Sequence, residues 1–292
     1  MDIKHIGVLG AGIMGCGIAQ TAAQSGFSVS MVDLEEKALR DGMEKIRGSL
    51  QRFKDKGKMT EIEVGETLAR IKPSRDIEGG MGGVDMVIEA VPEILKLKKE
   101  VFRQLDRTCP KAAILATNTS SLSVTEIASA TERPDKVVGM HFANPVPIMV
   151  GVEVIQGLET SETTVAAVYS LAERLGKVCY KAKDFPGFVG NRLLMSMINE
   201  GFQVLWQGIS SAEDIDRACK ISFRHPMGPL ELADFIGLDT VVFILEYLHQ
   251  EIGERYRPCP LLKQLVMAGQ LGVKTKKGVY DYTKGEKKPR SF

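Results

Sequence analysis

The segment 6–33 places three glycines between two apolar stretches and ends in an acid: IGVLGAGIMGCGIAQTAAQSGFSVSMVD. The pattern predicts a strand, a helix that opens through Gly10, Gly12 and Gly15, and a second strand that ends at Asp33. In such a βαβ unit the first glycine allows a tight turn, the second lets the backbone approach a pyrophosphate, and the third lets the helix pack closely on the strand. The segment therefore predicts a dinucleotide-binding fold.

Asp33 indicates which dinucleotide the fold would take. A carboxylate at the end of the second strand accepts hydrogen bonds from the adenosine ribose hydroxyls and repels a 2′-phosphate. The residues that follow, Asp33-Leu34-Glu35-Glu36, offer no arginine to such a phosphate. We therefore predict NAD rather than NADP.

Composition limits the possible partners and the compartment. The chain has 292 residues, with 38 basic and 37 acidic side chains and a net charge of +1, a balance that favours neither nucleic acid nor a membrane as partner. The five cysteines are odd in number and lack a CxxC pair, which is typical of reduced thiols. No signal-peptide pattern precedes the nucleotide fold, and no apolar run is long enough to span a membrane. We expect a cytoplasmic protein.

The first half of the chain alternates between strand and helix patterns, which predicts a doubly wound parallel sheet of the Rossmann type. A last strand-like stretch gives way to Asp184-Phe185-Pro186-Gly187, where we place a domain boundary. The expected domains are residues 1–185, which bind the nucleotide, and a smaller all-α domain at 186–292. The predicted strands are 84–90, 112–117, 137–140 and 177–182, and the predicted helices are 95–106, 188–207, 212–219, 230–250 and 261–268.

The charged segment 34–58 exceeds what a minimal nucleotide fold needs. Its apolar residues recur at spacings of three and four, which predicts a helix with one face packed on the body of the protein. The adjacent face is basic and could hold a phosphorylated ligand, or it could be an ordinary solvated surface. The apolar face comprises Leu39, Met43, Ile46, Leu50 and Phe53, and the adjacent face Lys45, Ser49, Arg52 and Lys56.

Polar residues follow two strands of the predicted sheet. Ser120 lies in the turn NTSSL after one strand, and His141 follows the next, so both belong at the carboxyl edge where open α/β folds bind ligands. A histidine there suits a dehydrogenase, which needs a base of near-neutral pKa for the substrate hydroxyl. Glu153 stands inside an apolar run, where pairing with His141 would satisfy its carboxylate and fix the imidazole tautomer. No metal-ligand spacing is present, and we predict no metal.

Several motifs, taken together and in order, resemble the L-3-hydroxyacyl-CoA dehydrogenases, in particular the bacterial 3-hydroxybutyryl-CoA dehydrogenase type. The resemblance runs over nearly the whole chain and implies a Rossmann-type domain with a helical CoA arm at about residues 34–70. A helical domain that forms a homodimer would follow. The motifs are GAGIMG at 10–15, EAVPEILKLK at 89–98, NTSSL at 118–122, HFANPVPIM at 141–149, VEVI at 152–155, DFPGFVGNR at 184–192, HPMGPLELADFIGLD at 225–239 and KTKKGVYDY at 274–282.

The resemblance assigns roles residue by residue. His141 would be the catalytic base and Glu153 its orienting partner, while Ser120 and Asn191 would hydrogen-bond the reacting oxygen. Ser49 and Lys56 would contact CoA, although a shift of the alignment would exchange Lys56 with Lys54 or Lys58. The implied cofactor site comprises Gly10, Gly12, Ile13, Met14, Gly15, Asp33, Glu93, Lys98, Asn118 and Asn144.

The implied reaction is the reversible, NAD-dependent oxidation of an (S)-3-hydroxyacyl-CoA, with 3-hydroxybutyryl-CoA as the expected substrate. Because Asn191 belongs to the second domain, we expect the site to close when the domains come together. Two departures bear on acyl specificity. Val150-Gly151 replace a lysine and a leucine that are common in the family, and Phe223 is bulky where a small residue is frequent.

Alternative functions remain open at this point. A related dehydrogenase could act on another hydroxy substrate, such as an aromatic-pathway hydroxyacyl-CoA or a sugar acid. A non-catalytic NAD-binding protein is a second alternative, but it would have no need of Ser120, His141, Glu153 and Asn191 together. The β-hydroxyacid dehydrogenases fit poorly, because they use a lysine in the helix that opens the second domain and residues 188–199 contain none.

Overall fold

A computed structural model describes residues 2–290 of the chain. The chain divides into two compact units, one that ends at Phe185 and one that begins at Pro186. Of the residues described, none form a helix long and apolar enough to cross a membrane.

The first unit is built on one large sheet with helices between its strands. Its strands are β1 His5–Leu9, β2 Ser28–Val32, β3 Ile71–Ser74, β4 Met86–Glu89, β5 Ile114–Thr117, β6 Val137–Phe142, β7 Gly151–Gln156 and β8 Val178–Lys183. Its helices are α1 Ile13–Gln24, α2 Glu36–Asp55, α3 Glu61–Ala69, α4 Ile77–Met81, α5 Leu95–Thr108, α6 Val124–Ala128 and α7 Glu162–Arg174. The strand order within the described residues is β3-β2-β1-β4-β5-β6-β7-β8.

The sheet confirms the doubly wound prediction but is not parallel throughout. The strands from β3 across to β6 pair in parallel, whereas β6 and β7 pair antiparallel, and β8 then runs parallel to β7. The reason lies in the connection, residues 143–150, because a crossover between parallel strands needs a dozen or more residues. The predicted parallel sheet is therefore confirmed from β3 to β6, and the reversal places the end of β6 opposite β7.

The core of this unit sits between the sheet and its helices. Ile6 and Val8 of β1 are fully buried, as expected for a strand covered on both faces. The predicted helical segment forms α2, whose Leu39, Ile46 and Leu50 join this core. The predicted apolar face of the arm is therefore confirmed at these positions. Thr60 and Glu63 then form a reciprocal capping box that starts α3.

The second unit is mainly helical, with α8 Gly190–Trp206, α9 Ala212–Ser222, α10 Pro229–Ile236, α11 Leu238–Ile252 and α12 Pro260–Met267. The single helix predicted over 230–250 is wrong, because Gly237 adopts φ 104° and separates α10 from α11. The predicted helical domain is otherwise confirmed. Two short strands, β9 Tyr280–Asp281 and β10 Lys288–Pro289, pair antiparallel within the described residues.

A buried aspartate of α10 binds residues 279–282 to the helices of this unit. Asp234 of α10 is fully buried and accepts hydrogen bonds from the backbone N–H groups of Val279 and Tyr280, each at 2.9 Å. The hydroxyl of Tyr282 donates to the same carboxylate at 3.1 Å. Burial raises the pKa of Asp234, although these donors favour its charged form. Two of the family-like motifs thus meet here for a structural reason.

Candidate active site

The glycine loop between β1 and α1 has the geometry that the sequence predicts. Gly10 has φ 105°, and a Cβ there would approach the carbonyl oxygen of Ala90 to 2.6 Å. A Cβ on Gly15 would overlap the carbonyl oxygen of Gly10. A Cβ on Gly12, by contrast, would have no heavy atom of the described residues within 4 Å, and the backbone of Gly12 precedes a helix that has no side-chain cap. The loop therefore leaves open space beside unpaired helix N–H groups.

Asp33 stands beside this loop at the end of β2. Its Oδ2 accepts the N–H of Ala11 at 2.8 Å, and its Oδ1 accepts the N–H of Glu35 at 3.0 Å. These bonds fix the carboxylate next to the open space at Gly12. Ile13 and Met14 begin α1 at the same place, and Ile13 is exposed. A dinucleotide fits this set of residues, with a pyrophosphate at the helix start and a ribose at Asp33.

His141 and Glu153 face each other across the antiparallel pair of β6 and β7. The register pairs the two residues directly, and His141 Nδ1 lies 3.3 Å from Glu153 Oε2. The Glu153 side chain is fully buried, whereas that of His141 is 21% exposed. Proximity to the carboxylate favours the tautomer that carries a proton on Nδ1 and a lone pair on Nε2. The structure thus brings together the predicted base and its partner.

Tyr180 extends this pair into a row of three residues and was missed in the sequence. It lies on β8 in register with Glu153. Burial and the neighbouring Glu153 charge together raise the pKa of the Tyr180 phenol. The sequence predicts only a strand over residues 177–182, because spacing does not reveal that β8 pairs with β7.

The turn that carries Ser120 is held by Glu93. One oxygen of Glu93, Oε1, accepts the Thr119 hydroxyl at 2.5 Å and the backbone N–H groups of Ser120 at 2.9 Å and Ser121 at 3.2 Å. Although burial favours the neutral carboxyl, the Lys98 ammonium and these donors hold the pKa of Glu93 below its usual range. Glu93 therefore remains a carboxylate that orders this turn.

Lys98 is buried beneath Glu93. Its side chain is 1% exposed, and its ammonium lies 2.6 Å from Glu89 Oε1 and 3.3 Å from Glu93 Oε2. Its predicted place in the cofactor site stays a prediction, because Glu89 and Glu93 cover the Lys98 ammonium in this conformation. Glu89, which ends β4 and is fully buried, was not singled out in the sequence as a functional residue.

Asn118 and Asn144 occupy the same edge of the sheet. Asn118 follows β5, and its side-chain oxygen accepts the N–H of Phe142 at 3.0 Å, which ties the ends of β5 and β6 together. Asn144 follows β6 and is exposed, and its bond to Pro145 is cis. Within residues 2–290, no three His, Cys, Asp or Glu side chains gather as metal ligands would.

Known proteins match this chain over almost its full length. The family model described as 3-hydroxyacyl-CoA dehydrogenase, NAD binding domain, matches residues 5–185, and the model for the C-terminal domain of the same family matches residues 187–282. The chain belongs to the 3-hydroxyacyl-CoA dehydrogenase family. It is therefore an oxidoreductase that uses NAD, and the predicted family, enzyme class and cofactor are confirmed.

Individual relatives support this assignment. A probable 3-hydroxybutyryl-CoA dehydrogenase of Bacillus subtilis is 52% identical over 283 residues, covering 97% of this chain and 98% of the relative. A 3-hydroxybutyryl-CoA dehydrogenase of Bradyrhizobium diazoefficiens is 44% identical over 96% of both chains. The crystal structure of (S)-3-hydroxybutyryl-CoA dehydrogenase from Ralstonia eutropha superposes with a TM-score of 0.91 at 46% identity, covering 97% of this chain and 100% of that one.

In this dehydrogenase the residues on and just after α2 differ in exposure and in ion pairing. Ser49 is half-buried on α2, whereas Lys56 is exposed just beyond the end of that helix. Lys54 forms an ion pair with Glu61 of α3. Lys56 and Lys58 are exposed and, among the described residues, have no acidic partner within ion-pair distance.

Two further residues of the dehydrogenase come from the segment 184–192. Asn191 lies in the first turn of α8, in the second unit. Asp184, which the sequence marked only as part of a boundary, accepts the Ser123 hydroxyl at 2.7 Å and the Thr125 N–H at 2.7 Å, so it fixes the start of α6. Ser123 also caps α6 by accepting the Glu126 N–H.

Proposed function

We propose that this dehydrogenase catalyses the reversible oxidation of (S)-3-hydroxybutyryl-CoA to acetoacetyl-CoA. The observation that carries the proposal is the His141–Glu153 pair at 3.3 Å, with a buried carboxylate and a partly exposed imidazole. The short acyl chain is supported by the names of the relatives from Bacillus subtilis and Bradyrhizobium diazoefficiens. Such a reaction belongs to fatty acid metabolism.

The proposed proton transfer uses the two nitrogens of His141 differently. Nδ1 donates to Glu153, so Nε2 accepts the proton of the C3 hydroxyl during oxidation and returns it during reduction. The resulting imidazolium is stabilised by the Glu153 carboxylate, which the antiparallel pairing holds in place. Exchange of Nδ1 and Nε2 roles would leave the substrate facing a nitrogen that already carries a proton.

NAD, when bound, supplies the acceptor for the hydride that leaves C3. We assign its pyrophosphate to the open space at Gly12 and its ribose to Asp33, on the geometry of the glycine loop. Glu93 and Asn144 are proposed to lie near the nicotinamide end. Lys98 is proposed to support Glu93 rather than to contact NAD, because it is buried.

Ser120 and Asn191 are the proposed hydrogen-bond donors to the C3 oxygen. A preorganised donor of this kind typically contributes a factor of about 10²–10³ in turnover. For Ser120 the support is the turn held by Glu93. For Asn191 the support is its place in the motif DFPGFVGNR.

The helical arm is proposed to hold CoA through Ser49 and Lys56. The exposure of Lys56 beyond α2 supports this assignment. We further propose a homodimer formed through the second unit, where Trp206, Ile221 and Phe243 are exposed. All five cysteines are unpaired thiols, which fits a reducing compartment such as the cytoplasm.

The decisive experiment follows the loss of NADH absorbance with acetoacetyl-CoA. We expect rapid turnover by the wild type and a loss of about 10²–10⁴-fold in kcat for His141→Gln. His249→Gln is a matched control, because His249 forms a similar pair with Glu254 at 3.1 Å on the surface of the second unit. Tight NADH binding without turnover by the wild type would refute the short-chain substrate.

Two variations of this assay test the finer assignments. We expect NADPH to react far less well than NADH, because Asp33 would face the 2′-phosphate. We expect kcat/KM to fall as the acyl chain lengthens beyond four carbons, and a maximum at longer chains would contradict the proposal. Light scattering of the purified protein would test the dimer, with a monomeric mass as the contrary result.

A further inference from the structure

We infer that Glu89 is a positioning residue for the reaction, because two chains of contacts from its buried carboxylate converge on the turn that carries Ser120. Neither the family match nor the predicted site assigns Glu89 a role. The inference rests on the proposed role of Ser120 and extends it to a residue that does not touch the substrate.

The first chain of contacts runs through Lys98. Glu89 Oε1 receives the Lys98 ammonium at 2.6 Å, and the same ammonium lies 3.3 Å from Glu93 Oε2. The other oxygen of Glu93 accepts the hydroxyl of Thr119 and the N–H of Ser120. Glu89 therefore holds the Lys98 ammonium in place. Lys98 in turn holds Glu93, which accepts the Ser120 N–H.

The second chain of contacts runs through Thr117. The Thr117 hydroxyl donates to Glu89 Oε2 at 2.7 Å, and the N–H of Thr119 donates to that hydroxyl at 3.2 Å. Because β4 and β5 pair Glu89 with Thr117 in register, this path is short and rigid. Both oxygens of one carboxylate thus determine where the turn lies.

The chemistry of the contacts indicates a carboxylate at Glu89. Three donors surround its two oxygens, namely the Lys98 ammonium, the Thr117 hydroxyl and the N–H of Val91 at 2.7 Å. A protonated carboxyl would have to place its own proton against one of them. Burial raises the pKa of Glu89, and the Lys98 ammonium and the two neutral donors offset that effect only in part.

A purely structural role would not require this arrangement. A buried ion pair is weak evidence for stability, since removing two charges from water offsets much of their attraction. The same unit contains Arg133 and Asp106, another buried pair at 2.6 Å, whose contacts do not reach the Ser120 turn. Asp106 therefore provides a matched control for the loss of a buried charge.

The test compares Glu89→Gln with Asp106→Asn by hydrogen exchange and by kinetics. For Glu89→Gln we expect faster amide exchange in the peptide 118–123 and a fall of about tenfold in kcat for acetoacetyl-CoA, with KM for NADH little changed. For Asp106→Asn we expect a lower Tm, with exchange in that peptide and kcat unchanged. Unchanged exchange in the Glu89→Gln peptide would overturn the inference.

A double-mutant cycle with Ser120→Ala separates positioning from a general loss of structure. If Glu89 acts through Ser120, Glu89→Gln should change kcat by less than about twofold when Ser120 is already alanine. Fully additive losses would refute the inference. If Glu89→Gln does not fold, Thr117→Val removes one path alone and should give the same changes with smaller size.

Hydrogen exchange also keeps the two proposals distinct. If the wild type does not reduce acetoacetyl-CoA, the proposed substrate fails, yet exchange in 118–123 still reports whether Glu89 holds the turn. If the wild type is active and the exchange is unaltered by Glu89→Gln, the inference about Glu89 fails while the proposed function stands.

Discussion

Two buried ion pairs in the first unit have the same length, but their cations differ in their further hydrogen-bond partners. Lys98 lies 2.6 Å from Glu89, and Arg133 lies 2.6 Å from Asp106, with all four side chains almost inaccessible to water. Arg133 directs its remaining donors to backbone carbonyls, including that of Pro110 at 2.5 Å. Lys98 instead meets a second carboxylate. The partners of a buried pair, more than its distance, therefore indicate what it serves.

The chemistry of the two cations explains this difference. The guanidinium of Arg133 has five donors in a fixed plane, which suits the several carbonyls that end α5 and start the following turn. The ammonium of Lys98 is a compact charge that can be shared between Glu89 and Glu93. One pair closes a turn, and the other connects a strand to the candidate site.

The largest expected effect comes from Lys98→Met. It leaves Glu89 and Glu93 close together without their cation, so one carboxyl takes up a proton and Glu93 loses the ion pair that holds it beneath the Ser120 turn. We expect the free energy of unfolding to fall by about 3–5 kcal/mol and kcat to fall by about 10²-fold. Urea titration measures the free energy of unfolding, and the NADH assay measures kcat. A normal kcat in the folded variant would contradict the connection of Lys98 to the candidate site.

Arg133→Met should affect stability alone. Asp106 would remain buried without its partner, and we again expect a loss of about 3–5 kcal/mol in the free energy of unfolding. We expect kcat per folded molecule to be unchanged. Lys37→Met is the control, since the exposed pair of Lys37 with Asp41 should contribute little to the free energy of unfolding. Reduced kcat in folded Arg133→Met would show that this pair also serves the site.

Acid should act on the two pairs in opposite directions. Burial disfavours the Asp106 carboxylate, but the Glu132 N–H and Arg133 hold the pKa of Asp106 below its usual range. Its stabilising contribution is therefore present above the unfolded pKa and lost as the pH falls through the folded pKa. Burial raises the pKa of Glu89, so the folded state binds a proton at this carboxyl more readily than the unfolded state does. As the pH falls, proton binding at Glu89 therefore stabilises the folded state and partly offsets the stability lost at Asp106.

The measurement is the free energy of unfolding between neutral pH and about pH 3. Relative to the wild type, Asp106→Asn should lose less stability as the pH falls, because it lacks the carboxyl whose pKa is lowered in the folded state. Glu89→Gln should lose more. Parallel curves for the three proteins would contradict the opposite signs.

The smallest effect concerns the thiol of Cys109, whose carbonyl oxygen accepts from Arg133 at 3.2 Å. Burial raises the pKa of this thiol to about 11, so its alkylation at neutral pH should be slow. Because the Arg133 charge lowers the pKa of this thiol, we expect Arg133→Met to slow alkylation of Cys109 further in the folded protein, measured by mass spectrometry of the labelled peptide. Lys98→Met should leave the rate unchanged, and faster alkylation in Arg133→Met would contradict the prediction.

The parts of the molecule predicted best are those with local causes. Gly10 and Gly15 are needed because a side chain would meet backbone atoms of neighbouring segments, and the apolar face of α2 follows a helical period. The break at Gly237 escaped detection because apolar residues continue on both sides of it. A glycine within an otherwise helical pattern does not reveal its φ angle.

Contacts between distant parts of the sequence could not be predicted with the same detail. The segment with Glu153 is an apolar run in the sequence, and its direction as a strand depends on the short connection from β6. Glu89 looked like one more residue of an apolar strand, since the donors that satisfy it come from Lys98 and Thr117 on other elements. The candidate pair was found by chemistry, and its supporting network required the structure.

The antiparallel return of β7 has an evolutionary consequence. His141 and Glu153 are held by the ladder of β6 and β7, whereas the connection 143–150 is tethered separately by Lys177, which donates to the carbonyls of Val146 and Met149. Its Ile148 and Val150 side chains are exposed. Substitutions in this hairpin loop can therefore accumulate without shifting the proposed acid–base pair. The loop and the pair proposed for proton transfer can evolve at different rates within the same hairpin.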